Sequence, residues 1–313
     1  MENNKLYYAD LTAKDPLYLR EKINNLKAEG KKLAALYGNC HMEILDIYLR
    51  ESPEFMREYC IIVLPAIFEM KSAGITSLDE FFLKSIDLLI YQEIGEDNKF
   101  GPQWATSKVI TTLKPERQRI CIPNSVFMGY FPQETMRHDT IIKNQINFVP
   151  MFCGDKYIDF EYAKTSSIKK TILNLKNPDH PMIKDLDNNL NMSFRLLEMQ
   201  DAGCDIPMKD YVVDKYRDIC LFTEPKHPTN IFFHEMADRI LSVLGMDKLY
   251  NVIDLDNQDG LSTINRLFYP AVIKGLDLKF EVHDYYIDKR LTVQKFTFDE
   301  FIEVYIRNTS EME

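Results

Sequence analysis

The chain has 313 residues, 45% hydrophobic and 27% charged, enough to bury a full core in one elaborated α/β domain or in two smaller ones. Its formal net charge of −10 excludes nucleic acid as the general partner, because binding to phosphates needs a concentrated basic surface. The six cysteines form no C-x-x-C pair, and the chain shows neither a secretory signal nor a long apolar span, so we expect free thiols, a cytoplasmic location and no membrane span.

Helices and strands alternate in the first part of the chain. One helix is predicted before the first strand, at 31–37, and further strands are predicted at 59–64, 88–91 and 118–122. Ser77 and Glu80 have the spacing of a capping box for the helix that follows them. Strands that alternate with helices favour a parallel sheet covered on both faces, with ligands at the carboxyl ends of the strands.

The alternation ends near residue 129. Helical patterns at 166–175 and 183–197 predict a mainly helical insertion that caps a ligand cleft, and the sheet is expected to resume at 218–222 before a helix at 232–244. We therefore predict a three-layer α/β protein with a flavodoxin-like parallel sheet. Its core is expected at 1–128 and 204–248, its helical insertion or cap at 129–203, and a C-terminal subdomain at 249–313.

The junction Gly38-Asn39-Cys40-His41 lies between the first predicted strand and an amphipathic helix. Glycine permits a sharp turn where the strand ends, and a cysteine at a helix start faces backbone N–H groups and the positive end of the helix dipole, which favour a thiolate. This position favours Cys40 as a nucleophile. A buried cysteine that only packs is the alternative, and it is the interpretation we give to the other cysteines.

A second junction follows the strand predicted at 218–222. Glu224 and His227 lie in one short turn, where the carboxylate can fix the imidazole tautomer and stabilise its protonated form. If the strand ends converge, His227 could reach Cys40. Asn230 starts the next helix, either as its N-cap or as a ligand contact.

Four short motifs carry a resemblance to a known family. They are Tyr-Gly-Asn-Cys at 37–40, Tyr-Gln-Glu at 91–93, Ile-Pro-Asn at 122–124 and His-Pro-Thr-Asn at 227–230. Together they resemble the WcbI-type polysaccharide biosynthesis family over roughly residues 31–245. That family is similar in fold to the SGNH hydrolases, which implies an SGNH-like sheet here. His41 stands where the family commonly has Gln, and Glu224 replaces the usual SGNH Asp.

The resemblance implies a coenzyme A-binding acetyltransferase of capsule assembly. An acyl thioester would have its carbonyl oxygen near the Cys40 N–H and the Gln92 amide, with His227 as base for a covalent acyl-enzyme or for direct attack by a sugar hydroxyl. A mixed disulfide between Cys40 and coenzyme A is an alternative that would mark proximity alone. Gln92 and Asn124 could instead only bond the backbone of their turns.

With coenzyme A as the ligand that the resemblance implies, further contacts to it are expected. They are assigned to the following residues: Gly38, Asn39, His41, Asn124, Asn230, Arg137, His138 and Lys143. The last three form a basic cluster suited to phosphates, although a solvated surface gives the same pattern. No metal site is predicted.

The function that the resemblance implies and these residues can support is transfer of an acyl group, acetyl in the first instance, from coenzyme A to a sugar hydroxyl of a surface polysaccharide or its precursor. The alternatives are an SGNH-like esterase or thioesterase, in which water replaces the sugar, and a non-catalytic module that binds a glycan or nucleotide. Other polysaccharide-assembly enzymes are the expected protein partners. The acceptor sugar, the acyl chain and the oligomeric state do not follow from the sequence.

Overall fold

The computed structural model describes residues 6–14, 16–135, 154–250, 264–288 and 294–310. These residues form two compact units. Unit 1 comprises the described residues of Met1–Asn124, Gln200–Met208 and Asn230–Asn257. Unit 2 comprises those of Ser125–Met199, Lys209–Thr229 and Gln258–Glu313. The three-part domain division drawn from the sequence stays a prediction.

The elements are numbered in chain order. The helices of the described residues are α1 (Tyr8–Lys14), α2 (Pro16–Ala28), α3 (His41–Arg50), α4 (Pro53–Glu58), α5 (Glu80–Ser85), α6 (Thr106–Thr112), α7 (Lys156–Thr165), α8 (Ile168–Leu175), α9 (Ile183–Asp201), α10 (Lys209–Lys215), α11 (Asn230–Val243), α12 (Pro270–Leu276) and α13 (Phe298–Ser310). The strands are β1 (Leu6–Tyr7), β2 (Lys32–Tyr37), β3 (Tyr59–Val63), β4 (Leu88–Gln92), β5 (Gln118–Ile122), β6 (Glu134–Thr135), β7 (Gly154–Asp155), β8 (Phe222–Glu224), β9 (His227–Pro228), β10 (Ile264–Asn265), β11 (Tyr285–Asp288) and β12 (Phe296–Thr297).

Unit 1 contains a five-stranded parallel sheet in the order β1-β3-β2-β4-β5. Its central strands are continuous apolar runs because helices cover both faces. On one face, Leu33, Ala35 and Tyr37 of β2 join an apolar cluster with residues of α1, α2, α5 and α6. The alternate residues Ala34 and Leu36 point to the other face, where α3 packs on β2 and β3, and α11 packs on α3. The predicted three-layer α/β fold is thus confirmed.

Unit 2 combines short antiparallel strands with helices. β6 pairs with β7, β8 with β9, and β11 lies between β10 and β12. Helices α7, α8 and α13 pack together. Asp155 caps the start of α7, and its carboxylate accepts hydrogen bonds from the Tyr157 and Ile158 N–H groups at 3.0 Å each.

Two local predictions were wrong. The strand expected at 218–222 begins instead at Phe222 and pairs with β9, so it does not extend the parallel sheet, whose fifth strand is the two-residue β1. The apolar run before Phe222 resembles a strand, but pairing partners depend on distant parts of the chain. The predicted capping box is also absent, because Asp79 rather than Ser77 caps α5 and accepts from the Phe82 N–H at 2.8 Å.

Candidate active site

Cys40 lies directly before α3, in the turn that follows β2. Its side chain is half-buried, and the first N–H groups of the ten-residue helix begin next to it. Gly38 allows close packing here: a Cβ atom at this position would lie 2.5 Å from Gln92 Oε1 and 2.7 Å from Met42 Cε, so both side chains would have to move. Glycine therefore brings the turn against the end of β4.

Gln92 is the last residue of β4, and its buried amide holds the Cys40 turn. Its Oε1 accepts a hydrogen bond from the Asn39 N–H at 2.9 Å. Its Nε2 lies 3.4 Å from the Pro123 carbonyl oxygen and 3.4 Å from His41 Nδ1. Both contacts of Nε2 are long for hydrogen bonds, so this donor group is held weakly.

The two asparagines of the junctions bond to each other. Asn39 Nδ2 donates to Asn124 Oδ1 at 2.9 Å, and Asn39 Oδ1 accepts from the His41 N–H at 2.9 Å. The second bond satisfies one of the N–H groups that a helix start leaves without an intrahelical partner. The carboxyl ends of β2, β4 and β5 therefore meet around the residues just before Cys40, as a parallel sheet predicts.

His41 is buried, with 1% of its surface exposed. Its ring packs edge-on against Phe233 of α11, with the ring centroids 5.4 Å apart. Because an amide nitrogen only donates, the neighbouring Gln92 Nε2 favours the His41 tautomer whose Nδ1 carries no proton. The predicted contact of His41 with coenzyme A stays a prediction.

Asn230, the first residue of α11, is also a buried residue of unit 1. Its carbonyl oxygen accepts from the Tyr48 hydroxyl at 2.8 Å, which fixes the start of α11 against α3. Asn230 is thus positioned by the packing of the two helices.

In unit 2, Glu224 and His227 form the predicted pair. The β8–β9 hairpin places Glu224 Oε1 3.0 Å from His227 Nδ1, and both side chains are largely buried. Burial strengthens such a contact because water does not screen it. A carboxylate this close to Nδ1 stabilises a positive charge on the imidazole, and a proton could be transferred at Nε2.

Arg266 supports this pair and was missed in the sequence. Its Nη2 lies 3.7 Å from Glu224 Oε2, its Nε lies 2.9 Å from Glu134 Oε1, and its backbone N–H donates to the Thr223 carbonyl at 3.0 Å. A guanidinium between two buried carboxylates compensates their charges. No local motif marks Arg266, because it meets Glu224 only through packing of distant segments.

A family model for the polysaccharide biosynthesis enzyme WcbI matches residues 33–249. The chain belongs to the WcbI family. The matched range includes Cys40, Gln92, Asn124 and the Glu224–His227 pair, whereas Arg266 lies beyond it. The WcbI family is one of polysaccharide biosynthesis enzymes, so the chain is an enzyme of that class.

A solved WcbI structure has a similar fold. It superposes with a TM-score of 0.69 at 18% sequence identity, over 90% of this chain and 93% of that chain. It is described as WcbI, a novel polysaccharide biosynthesis enzyme, in its native form without a disulfide bond between coenzyme A and a cysteine. No protein in the curated set matches the chain significantly.

Some predicted site residues lie outside the described residues, namely Arg137, His138 and Lys143. Within the described ranges, no group of three His, Cys, Asp or Glu side chains could hold a metal ion. None of the described helices is long and apolar enough to cross a membrane.

Proposed function

We propose that this WcbI-family enzyme transfers an acyl group, in the first instance acetyl, from coenzyme A to a sugar hydroxyl of a capsular or other surface polysaccharide or its precursor. The observation that carries the proposal is the position of Cys40, at the start of α3 in a turn fixed by Gln92 and Asn39. The coenzyme A named for the solved WcbI structure supports the choice of acyl donor. An SGNH-like chemistry, cytoplasmic action and association with other polysaccharide-assembly enzymes belong to the same proposal.

The donor thioester has its carbonyl oxygen stabilised by the Cys40 N–H and by Gln92 Nε2. Two features support this role. The helix start supplies oriented N–H groups. The two contacts of Nε2 are long and weak, so little free energy is lost when Nε2 donates to a developing oxyanion instead. Gln92 Oε1 stays on the Asn39 N–H and keeps the amide oriented.

His227 is the general base, and Glu224 orients its ring. In the covalent route, His227 accepts the Cys40 thiol proton, the thiolate attacks the acyl carbon, and the thiol of coenzyme A leaves with that proton. The sugar hydroxyl then loses its proton to His227 and displaces Cys40 from the acyl group, and Cys40 takes that proton back from His227. In the direct route, His227 deprotonates the sugar hydroxyl, which attacks the thioester itself, and coenzyme A leaves as its thiol with the proton from His227.

Substitutions at Cys40 and His227 test the assignment. We expect His227→Ala to reduce turnover of acetyl-coenzyme A by a factor of about 100 or more, because it removes the base of both routes. Cys40→Ala should cause a loss of the same size in the covalent route, where it removes the nucleophile. Cys60→Ala and His283→Ala are the matched controls. The Cys60 thiol lies in β3 and its pKa is raised by burial, and His283 is exposed in unit 2.

Chemical analysis of the products separates transfer from hydrolysis. An acetylated sugar supports the proposal, whereas free acetate with no acetylated sugar supports the esterase or thioesterase alternative, which the Glu224–His227 pair would serve equally well. Full turnover in both Cys40→Ala and His227→Ala would remove the site assignment. Ligand binding with no turnover in the unmodified enzyme would favour a non-catalytic module.

A further inference from the structure

Two cysteines outside the proposed chemistry lie in contact within unit 1. Cys121, near the end of β5, and Cys204, after α9, have their sulfur atoms 3.5 Å apart. A disulfide bond has an S–S length of about 2.05 Å, so the two sulfur atoms are neighbours that have to move closer for a bond to form. Cys121 is buried, and Cys204 is half-buried and within reach of a small reagent.

The backbone around the two sulfurs is fixed by several hydrogen bonds. The Cys121 N–H donates to Asp205 Oδ2 at 2.7 Å, and the Asp205 and Ile206 N–H groups donate to the Cys121 carbonyl at 2.9 and 3.3 Å. These bonds hold the residues next to Cys204 against β5. The two thiols therefore stay together because the protein positions them.

The surroundings also favour reaction of one sulfur at a time. The hydrogen bond between the two thiols lowers the pKa of Cys121 and raises the pKa of Cys204. Tyr91 of β4 hydrogen-bonds to Cys121 as well, while the nearby Glu93 and Asp205 carboxylates oppose a negative charge there. The first deprotonation of the pair is therefore easier than the second.

The position of the pair gives a disulfide a structural consequence. Cys121 and Cys204 lie in two separate segments of unit 1, Met1–Asn124 and Gln200–Met208, so a disulfide would join these segments covalently. Cys121 is also three residues before Asn124, which accepts the hydrogen bond from Asn39 in the turn that carries Cys40. A covalent link here would fix the end of β5.

We propose that Cys121 and Cys204 form a reversible intramolecular disulfide on exposure to a small-molecule disulfide such as oxidised glutathione. One sulfur attacks the reagent as a thiolate, which forms a mixed disulfide and releases one glutathione. The second sulfur then loses its proton to solvent, attacks the mixed disulfide and releases the second glutathione. The two protein thiols are oxidised and one glutathione disulfide is reduced to two thiols.

Mass spectrometry of the purified full chain tests the proposal. The protein is incubated with oxidised glutathione, its remaining thiols are alkylated, and it is digested with trypsin without reduction. We expect the peptides 120–137 and 196–209, each with one cysteine, to be linked to one another. Reduction with dithiothreitol should restore both as separate peptides. Thiol titration should show a loss of two thiols.

Matched variants make the result specific. Cys204→Ser should abolish the linked peptides, while Cys60→Ser should leave them unchanged, since Cys60 lies in β3. Working in a Cys40→Ser background removes any contribution of Cys40 to the thiol count. Cys121 and Cys204 that stay unlinked, or that each carry glutathione without a bond between them, would overturn the proposal. Neither outcome depends on acyl transfer.

Discussion

At the scale of single residues, the proposed active site depends on how closely the Cys40 turn approaches β4. Gly38→Ala would place a methyl group 2.5 Å from Gln92 Oε1, so the amide must move. We expect this substitution to lower the free energy of unfolding by about 1–3 kcal/mol, as overpacking does, and to reduce activity. Urea unfolding and turnover measure the two effects.

A double-mutant cycle shows whether the effect of Gly38→Ala acts through Gln92. A Gln92→Ala background removes one of the two close neighbours and leaves Met42, so Gly38→Ala should lower the free energy of unfolding less than in the unmodified chain. Equal losses in both backgrounds would show that Gln92 is not what Gly38 accommodates.

Asn124 is expected to act by holding Asn39. Its Oδ1 accepts the hydrogen bond from Asn39 Nδ2, and a carboxylate accepts the same bond. Asn124→Ala should therefore reduce turnover roughly 5-fold, because one hydrogen bond contributes about 1 kcal/mol. Asn124→Asp keeps this bond and should retain most of the turnover. Steady-state kinetics of the two variants give the comparison. A larger loss for Asp than for Ala would instead favour direct contact of Asn124 with an anionic ligand.

At the scale of secondary-structure elements, the start of α7 carries a buried carboxyl. Burial raises the pKa of Asp155 from its usual value of 3.8 to about 7, against the lowering effect of hydrogen bonds from Tyr269, Ile158 and Tyr157. Between these two pH values the folded protein keeps a proton that the unfolded chain has released. Stability from this group is therefore present at low pH and falls as the pH rises towards 7.

Asp155→Asn should remove this pH dependence, because an amide does not titrate in this range. Its oxygen can still accept the Tyr157 and Ile158 N–H groups, so the helix cap is kept. Thermal unfolding measured from pH 4 to pH 8 should show that the stability of the variant changes less with pH than that of the unmodified chain. Each unit of difference between the folded and unfolded pKa of Asp155 corresponds to about 1.4 kcal/mol of stability. Tyr269→Phe removes a donor at 2.6 Å from Asp155 Oδ2 and should shift the midpoint to higher pH. Parallel profiles for Asp155→Asn and the unmodified chain would contradict the assignment.

The elements also show what the sequence could predict. Strands β2 to β5 were predicted correctly, because buried parallel strands are continuous apolar runs between turns. β1 was missed because two residues carry no periodic pattern. The meeting of Asn39, Gln92 and Asn124 follows from parallel topology, but their hydrogen bonds do not. Arg266 and the Cys121–Cys204 contact join residues far apart in the chain, which local patterns do not reveal.

At the scale of the whole molecule, the charge balance restricts how the proposed ligand, coenzyme A, could bind. With a net charge of −10, the protein repels an anionic ligand at long range, so the affinity has to come from local donors such as the N–H groups at the start of α3. Binding should therefore be measured at physiological ionic strength, because charges more than about 8 Å apart are then largely screened.

Isothermal titration calorimetry with coenzyme A and acetyl-coenzyme A tests the central claim most directly. The titration is made under reducing conditions, which prevent a mixed disulfide, with the unmodified enzyme and with Cys40→Ser. We predict saturable binding of both ligands to both proteins, because the proposed contacts are noncovalent and the serine preserves the turn. The absence of saturable binding to either protein would contradict the account.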